Sequence, residues 1–345
     1  MPVPDTEAQD IKNSQPYPKR AIGFLFQRVL PGLALVMLAA ASLLAWGPPA
    51  KIPQAKPPQQ AAMPNPLDAD RSFKYLTEVC NIGTRVSGTA GMAKQQKLIT
   101  DHFVKFGCQV KLQPFDAPHP VNGNPVRMNN IIISWHPESK ERILLCAHYD
   151  TRPFPDREKS PAAQRGVFIG ANDGASGVAL FMELAHHMEK LKPNYGVDFV
   201  LFDGEELVYG PRGDYFLGSK HFARHYRDEP PVYRYKYGIL VDMIAGKKLN
   251  LYYEGSSMRY APELAESVWA TAQRLHVHEF IAKPKHDVQD DHLPLNEIAG
   301  IPSIDLIDFD YEFWHTRKDI PANCTGVSIA KVGHVLLEWM TEKAM

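Results

Sequence analysis

An excess of charge of either sign is missing from this 345-residue sequence: 38 Lys and Arg stand against 39 Asp and Glu, a formal charge of −1. That balance removes the simplest case for a nucleic-acid partner, which usually leaves a strongly basic domain. Cysteine is scarce too. Cys80, Cys108, Cys146 and Cys324 lack the C-x-x-C spacing of thiolate zinc sites and are too few for a disulfide-built mini-protein. Cys80 and Cys108 could pair in an exported domain, with buried free thiols at least as well supported. No G-x-S-x-G elbow, Walker A loop or G-x-G-x-x-G turn occurs, and His278-Glu279 has no second His at the H-E-x-x-H spacing. Serine-hydrolase, P-loop, dinucleotide and H-E-x-x-H chemistry are set aside.

What the sequence does have is proline, 29 copies, and one long uncharged run. Residues 29–46, VLPGLALVMLAAASLLAW, follow Lys19, Arg20 and Arg28, and no basic residue appears again until Lys51. That length approaches the minimum for a membrane span, and the basic flank predicts a cytoplasmic N-terminus with the rest exported. A cleaved signal peptide is the alternative, although the charged leader is long and no clean A-x-A site follows. A core helix fits poorly, because no amphipathic face appears and Pro31 sits in the first turn. Residues 47–66 hold seven prolines without apolar periodicity, the composition of a semi-extended linker. The expected organisation is a basic leader (1–28), a signal-anchor transmembrane helix (29–46), a proline-rich linker (47–67) and one catalytic domain (68–345). The expected location is membrane-anchored with the domain extracytoplasmic, or secreted if the leader is cleaved.

Within 68–345, short apolar runs at 130–135, 142–146, 198–202, 238–241 and 303–307 alternate with helical patterns at 90–106, 174–190, 216–225, 261–275 and 327–341. This alternation predicts an α/β fold: a mixed, mostly parallel twisted sheet with helices on both faces. The strands end in chemistry. ILLCA runs into His148-Tyr149-Asp150, DFVLF into Asp203-Gly204-Glu205-Glu206, and GILV into Asp242. Ligands of open α/β sheets bind beyond the carboxyl ends of the strands. A glycine-rich turn, GANDGASG, adds Asp173, and FWHT adds His315.

Singly, each residue has an ordinary explanation: Asp173 as a helix cap, the Glu pair as solvated acids, a strand-end His as structural. Together they are harder to dismiss, since adjacent buried carboxylates repel unless a cation or proton lies between them. Asp173, Glu206 and His315 supply the three N/O ligands of a catalytic zinc with one position open. Glu205, beside a ligand yet free to face that position, is placed as general base. Tyr149-Asp150 fits the layer around the site, with Asp150 accepting a His ring N–H.

In this order, AHYD, GANDGASG, FDGEE with GSKHFA downstream, VDMI and a late WHT resemble the M28 zinc aminopeptidase superfamily over about residues 70–345. The chain more closely resembles the superfamily's glutaminyl-peptide cyclotransferases, through NNIIISWHPESKERILLCAHYD and VQDDHLPLNEIAGIP followed by FWHT. That resemblance implies cyclisation of the N-terminal glutamine of peptides and proteins to pyroglutamate, with release of ammonia. It also implies one zinc on Asp173, Glu206 and His315, Glu205 as the proton shuttle, and Asp242 and Asp290 as hydrogen-bonded acids around it. The aminopeptidase alternative keeps the same groups with two zincs, His148 and Asp242 on the second. The implied substrate pocket includes Gln289, Phe309 and Trp314. Where the animal enzymes carry a Trp after the Glu pair this chain has none, and Tyr209 is the expected substitute. A strand His of that family is Asp305 here, and the family's pocket disulfide is absent.

Overall fold

The computed structural model describes residues 63–191 and 194–344, all within the compact unit Gln60–Met345. The expected leader, anchor and nearly all of the linker lie outside the described residues. Among the described residues, no helix is long and apolar enough to cross a membrane.

The chain opens with α1 (Ala69–Cys80), α2 (Ala90–Val104), β1 (Gln109–Pro118), β2 (Pro125–Trp135), β3 (Glu141–His148), a single turn α3 (Pro161–Gln164) and α4 (Ala175–Met188). It continues through β4 (Gly196–Phe202), α5 (Leu217–Asp228), β5 (Arg234–Asp242), β6 (Leu251–Tyr253), α6 (Gly255–Tyr260), α7 (Pro262–Arg274) and β7 (Phe280–Pro284). It closes with α8 (His292–Glu297), β8 (Ser303–Ile307) and α9 (Gly326–Ala344). Helix starts follow local chemistry: the Asp68 carboxylate accepts from the Arg71 N–H at 3.0 Å to cap α1. Pro262 opens α7, where a missing N–H costs nothing.

Six strands form one sheet in the order β1-β2-β4-β3-β5-β8. The neighbours β4, β3, β5 and β8 run parallel, whereas β2 is antiparallel to β4 and β1 to β2. The expected mixed, mostly parallel sheet is therefore present, and every apolar run read as a strand is one. Sequence pattern missed β1, because its burial is confined to scattered positions and Pro114 interrupts it. Such a strand belongs on an edge, where one row of backbone donors needs no partner.

Alternation along the parallel strands splits the core. Ile143, Leu145, Val197, Phe199, Ile239 and Val241 face a large layer contributed by α1, α2, α4, α7 and α9. Leu144, Cys146, Val200 and Leu240 face a smaller one with Phe222 of α5 and Leu295 of α8. With both faces covered, the strands read as largely apolar runs with polar residues concentrated toward their ends, Asp305 in the middle of β8 being the exception. Parallel direction puts the carboxyl ends of β3, β4, β5 and β8 at one edge. All four cysteines are free thiols. Cys108 Sγ donates to the Phe103 carbonyl at 3.0 Å instead of pairing with Cys80.

Candidate zinc and proton-transfer site

Two turns carry the central acids, and a buried aspartate clasps each. After β4, the backbone N–H groups of Glu205 and Glu206 donate to the two Asp150 oxygens at 3.1 and 3.0 Å. Before α4, those of Asn172 and Asp173 donate to the Asp319 oxygens at 2.8 and 3.1 Å. Gly174 follows at φ 94°, and a Cβ there would lie 2.6 Å from the Asp150 carbonyl oxygen, so only glycine fits. The expectation for Asp150 needs correcting: His148 Nδ1 stands 3.7 Å from it and has no hydrogen-bond partner. Asp150 orients the Glu pair rather than the imidazole, because two consecutive backbone donors at a turn match its two oxygens.

Potential ligand atoms of Asp173, Glu206 and His315 lie within 4.8 Å of one another, as do those of His148, Asp173 and Asp242. His315 Nε2 is 3.4 Å from both Asp173 Oδ2 and Glu206 Oε1. Asp173 Oδ2 and Glu206 Oε2 are buried without any hydrogen-bond partner. Unpaired buried carboxylate oxygens are costly, and a hard or borderline cation among them would remove that cost. N/O donors in this number suit Zn²⁺, so the residues fit the metal. His148 Nε2 lies 3.2 Å from both Asp173 Oδ1 and Asp242 Oδ1, a distance a shared proton can span.

Burial and the adjoining Glu206 push the Glu205 carboxyl well above its ordinary range. Burial works the same way on Glu206, but the charges of His315 and Arg152 outweigh it and hold Glu206 low. Two neighbouring acids are thus driven apart, one toward proton carrier and one toward permanent carboxylate. Asp290 is driven well above the carboxylate range by burial and by Asp242 and Asp291. In its acid form it can donate a hydrogen bond.

These groups open on a cavity of about 410 Å³, a size suited to a small side chain with its backbone. Asp173, Glu205, Glu206, Asp242, Asp290 and His315 all line it, with Gln289, Phe309 and Trp314 forming walls and mouth. Trp314 is half-buried and not a core residue, and the Arg157 guanidinium lies 3.8 Å from its ring centroid. Tyr209 does not line the cavity; it packs on His119 and Phe154 instead. Tyr215 and Phe216 provide the aromatic wall on that side, because the turn after Glu206 delivers its residues only nine or ten positions later. His148 and Asp150 sit behind the lining, both buried. Phe216, Met243 and His315 hold left-handed backbone (φ 62°, 49° and 57°), a concentration of strain of the kind found at functional sites.

Sequence reasoning missed Arg152, Asp156, Tyr215 and Asp319. Only Arg152 and Asp156 carried a signal, as charges in the loop that follows the HYD strand end.

The Peptidase family M28 model matches residues 130–340. A glutaminyl-peptide cyclotransferase of Drosophila melanogaster is 25% identical over 260 residues, 68% of this chain and 70% of that protein. The crystal structure of Fimbriiglobus ruber glutaminyl cyclase is 43% identical with a TM-score of 0.78, covering 83% of this chain and 99% of that one. A leucine aminopeptidase precursor from Bacteroides thetaiotaomicron is 31% identical with a TM-score of 0.73, over 80% and 97%. Fold, site and similarity agree: the chain belongs to peptidase family M28, in its glutaminyl-cyclase branch.

Proposed function

We propose that the protein is a zinc-dependent glutaminyl-peptide cyclotransferase, converting the N-terminal glutamine of peptides or proteins to pyroglutamate and ammonia. The observation that carries this is the pair of unpartnered oxygens on Asp173 and Glu206 beside His315, in a chain 43% identical to a glutaminyl cyclase. Bound by those three residues, zinc would polarise the γ-carboxamide carbonyl as a Lewis acid. The chain's own part is the proton traffic. Glu205 takes a proton from the substrate α-amine as its nitrogen bonds to the γ-carbon, then passes it to the departing nitrogen, which leaves as ammonia. Asp242 and Asp290 flank that path and hold the amide nitrogen by hydrogen bonds. Trp314 and Phe309 enclose the glutamine side-chain stem, with Gln289 at the mouth.

One ion is the favoured stoichiometry. His148 between Asp173 and Asp242 lets a proton take the place of a second metal. Two-metal aminopeptidase chemistry is the competing reading, favoured by the second ligand group and by the likeness to the leucine aminopeptidase precursor. Zinc content measured with a Gln-initiated dipeptide assay separates them. One zinc with ammonia release is expected; two zincs with release of the first amino acid from many peptides would refute the cyclase.

From residues 29–46 we also assign a signal-anchor helix that holds the enzyme at a membrane with the catalytic domain outside the cytoplasm. In a fractionated expression host the full-length chain should stay in the membrane pellet at alkaline pH. A soluble product beginning after residue 46 would replace the anchor with a cleaved leader.

A further inference from the structure

The loop after β3 makes four contacts with the candidate zinc site, none involving a ligand of its own. Arg152, buried, donates from Nη1 to Glu206 Oε1 at 2.7 Å and from Nη2 to Asp156 Oδ2 at 2.8 Å. Asp156 Oδ1 lies 3.1 Å from His315 Nδ1. The Arg157 N–H donates to the His315 carbonyl at 3.2 Å, and the Arg157 side chain covers Trp314.

We propose that Arg152 and Asp156 form a positioning clasp that presets two of the three zinc ligands. Arg152 occupies Glu206 Oε1, so the unpartnered Oε2 is the oxygen left to offer. Asp156 Oδ1, 3.1 Å from His315 Nδ1, is placed to take that nitrogen's proton and so leave Nε2, the nitrogen facing Asp173 and Glu206, with its lone pair free. The guanidinium joins the two halves, since one planar fork reaches both carboxylates at once. Arg152 Nη2 also donates to the Tyr215 hydroxyl at 3.0 Å, which ties ligand geometry to a wall of the substrate cavity. A carboxylate on a ligand histidine usually matters 10–100-fold in metal affinity.

The clasp rests on the zinc reading but is tested apart from activity. Zinc affinity of the full chain is measured by competition with a chromophoric chelator, alongside the melting temperature of the metal-free protein. Asp156→Ala and Arg152→Met should each weaken zinc about 10- to 100-fold, while Asp156→Asn, whose amide oxygen can serve Nδ1–H although its NH2 then faces the Arg152 donor, should lose less, about threefold to tenfold. Arg152→Lys, a point charge that cannot bridge both carboxylates, should fall about fivefold or more. Affinities within twofold of wild type in the Ala and Met variants overturn the clasp. If those two do not fold, wild-type affinity in both conservative variants overturns it. Failure of the wild type to bind zinc would remove the reading beneath it, and the clasp too.

Discussion

The two ends of the same sheet treat buried charge in opposite ways. At the amino end, Arg142 of β3 meets Asp198 of β4 through two hydrogen bonds of 2.8 and 2.6 Å. The remaining guanidinium donors find the carbonyls of Trp135 and His136, and Tyr235 adds a bond of 2.5 Å to Asp198. Every charge there has a partner. At the carboxyl end, Asp173, Glu205, Glu206, Asp242, Asp290, Asp291 and Asp305 are buried together. Oxygens of Asp173, Glu206, Asp291 and Asp305 have no hydrogen bond. The paired end serves stability, since breaking such a pair leaves an uncompensated charge. The acid-rich end works against stability and leaves its unmet demand for a cation, a proton and a substrate.

Four substitutions would break or sharpen that contrast. The largest effect falls on turnover: Glu205→Gln should lower kcat by about 10⁴-fold, about 5.5 kcal/mol of barrier, while zinc content stays at the wild-type level. A kcat within tenfold of wild type would take the shuttle role away from Glu205. Next, Asp198→Ala at the amino end should destabilise by about 4 kcal/mol in chemical denaturation and leave activity per folded molecule unchanged. A loss under about 1 kcal/mol would mean that the paired end is not the stabilising one.

Glu254 is the intermediate case, a buried acid near the carboxyl end that is nevertheless satisfied. It accepts from the backbone N–H groups of Ser256, Ser257 and Val288 at 2.8, 2.6 and 2.9 Å, with His292 beside it at 3.3 Å. Burial opposes ionisation, yet these partners pull the Glu254 carboxyl from 4.5 down to about 2. A depressed folded-state value means stabilisation present above about pH 4.5 and lost as pH falls through about 2. Glu254→Gln should therefore destabilise by about 3 kcal/mol at pH 7 and by much less at pH 2, read from melting curves. A pH-independent difference would show that the charge is not the cause.

The smallest effect has the opposite sign. Asp290 is raised by burial and by its acidic neighbours, so its ionisation opposes folding above the ordinary carboxylate range and not below it. Asp290→Asn should stabilise the metal-free protein by about 1 kcal/mol at pH 7, lose that advantage near pH 3, and reduce turnover. A lower melting temperature at pH 7 would place Asp290 among the structural acids.

Legibility in the sequence divides along the same line. The apolar runs of β3, β4, β5 and β8 were readable because strands covered on both faces are mostly apolar, and His148, Glu205, Glu206 and Asp242 stood out at or just beyond their carboxyl ends. β1 was not readable, since unlike the other edge strand β8 it is largely exposed and buries only Gln113 and Phe115. Asp319 was unreadable as a site residue, and Arg152 and Asp156 only weakly readable, for another reason: a charged loop residue looks the same whether solvated or aimed at a ligand. Asp150 and Tyr209 went astray because proximity in sequence to the Glu pair or to a His says nothing about direction. Asp150 reaches the backbone of Glu205 and Glu206, and Tyr209 turns outward to Phe154.

By itself, the sequence determined the α/β class, the edge on which the chemistry would gather, and the residue types available to hold zinc. Those follow from local rules: side-chain periodicity, and the inability of buried carboxylates to remain both ionised and unpaired. Tertiary structure alone decided which acid supports which group. Asp150 and Asp319 support the turns, Asp156 lies against His315, and Arg152 lies against Glu206. Those pairings join residues up to 159 positions apart (Asp156 and His315) and depend on angstrom-scale distances, which only the packed sheet and its loops set.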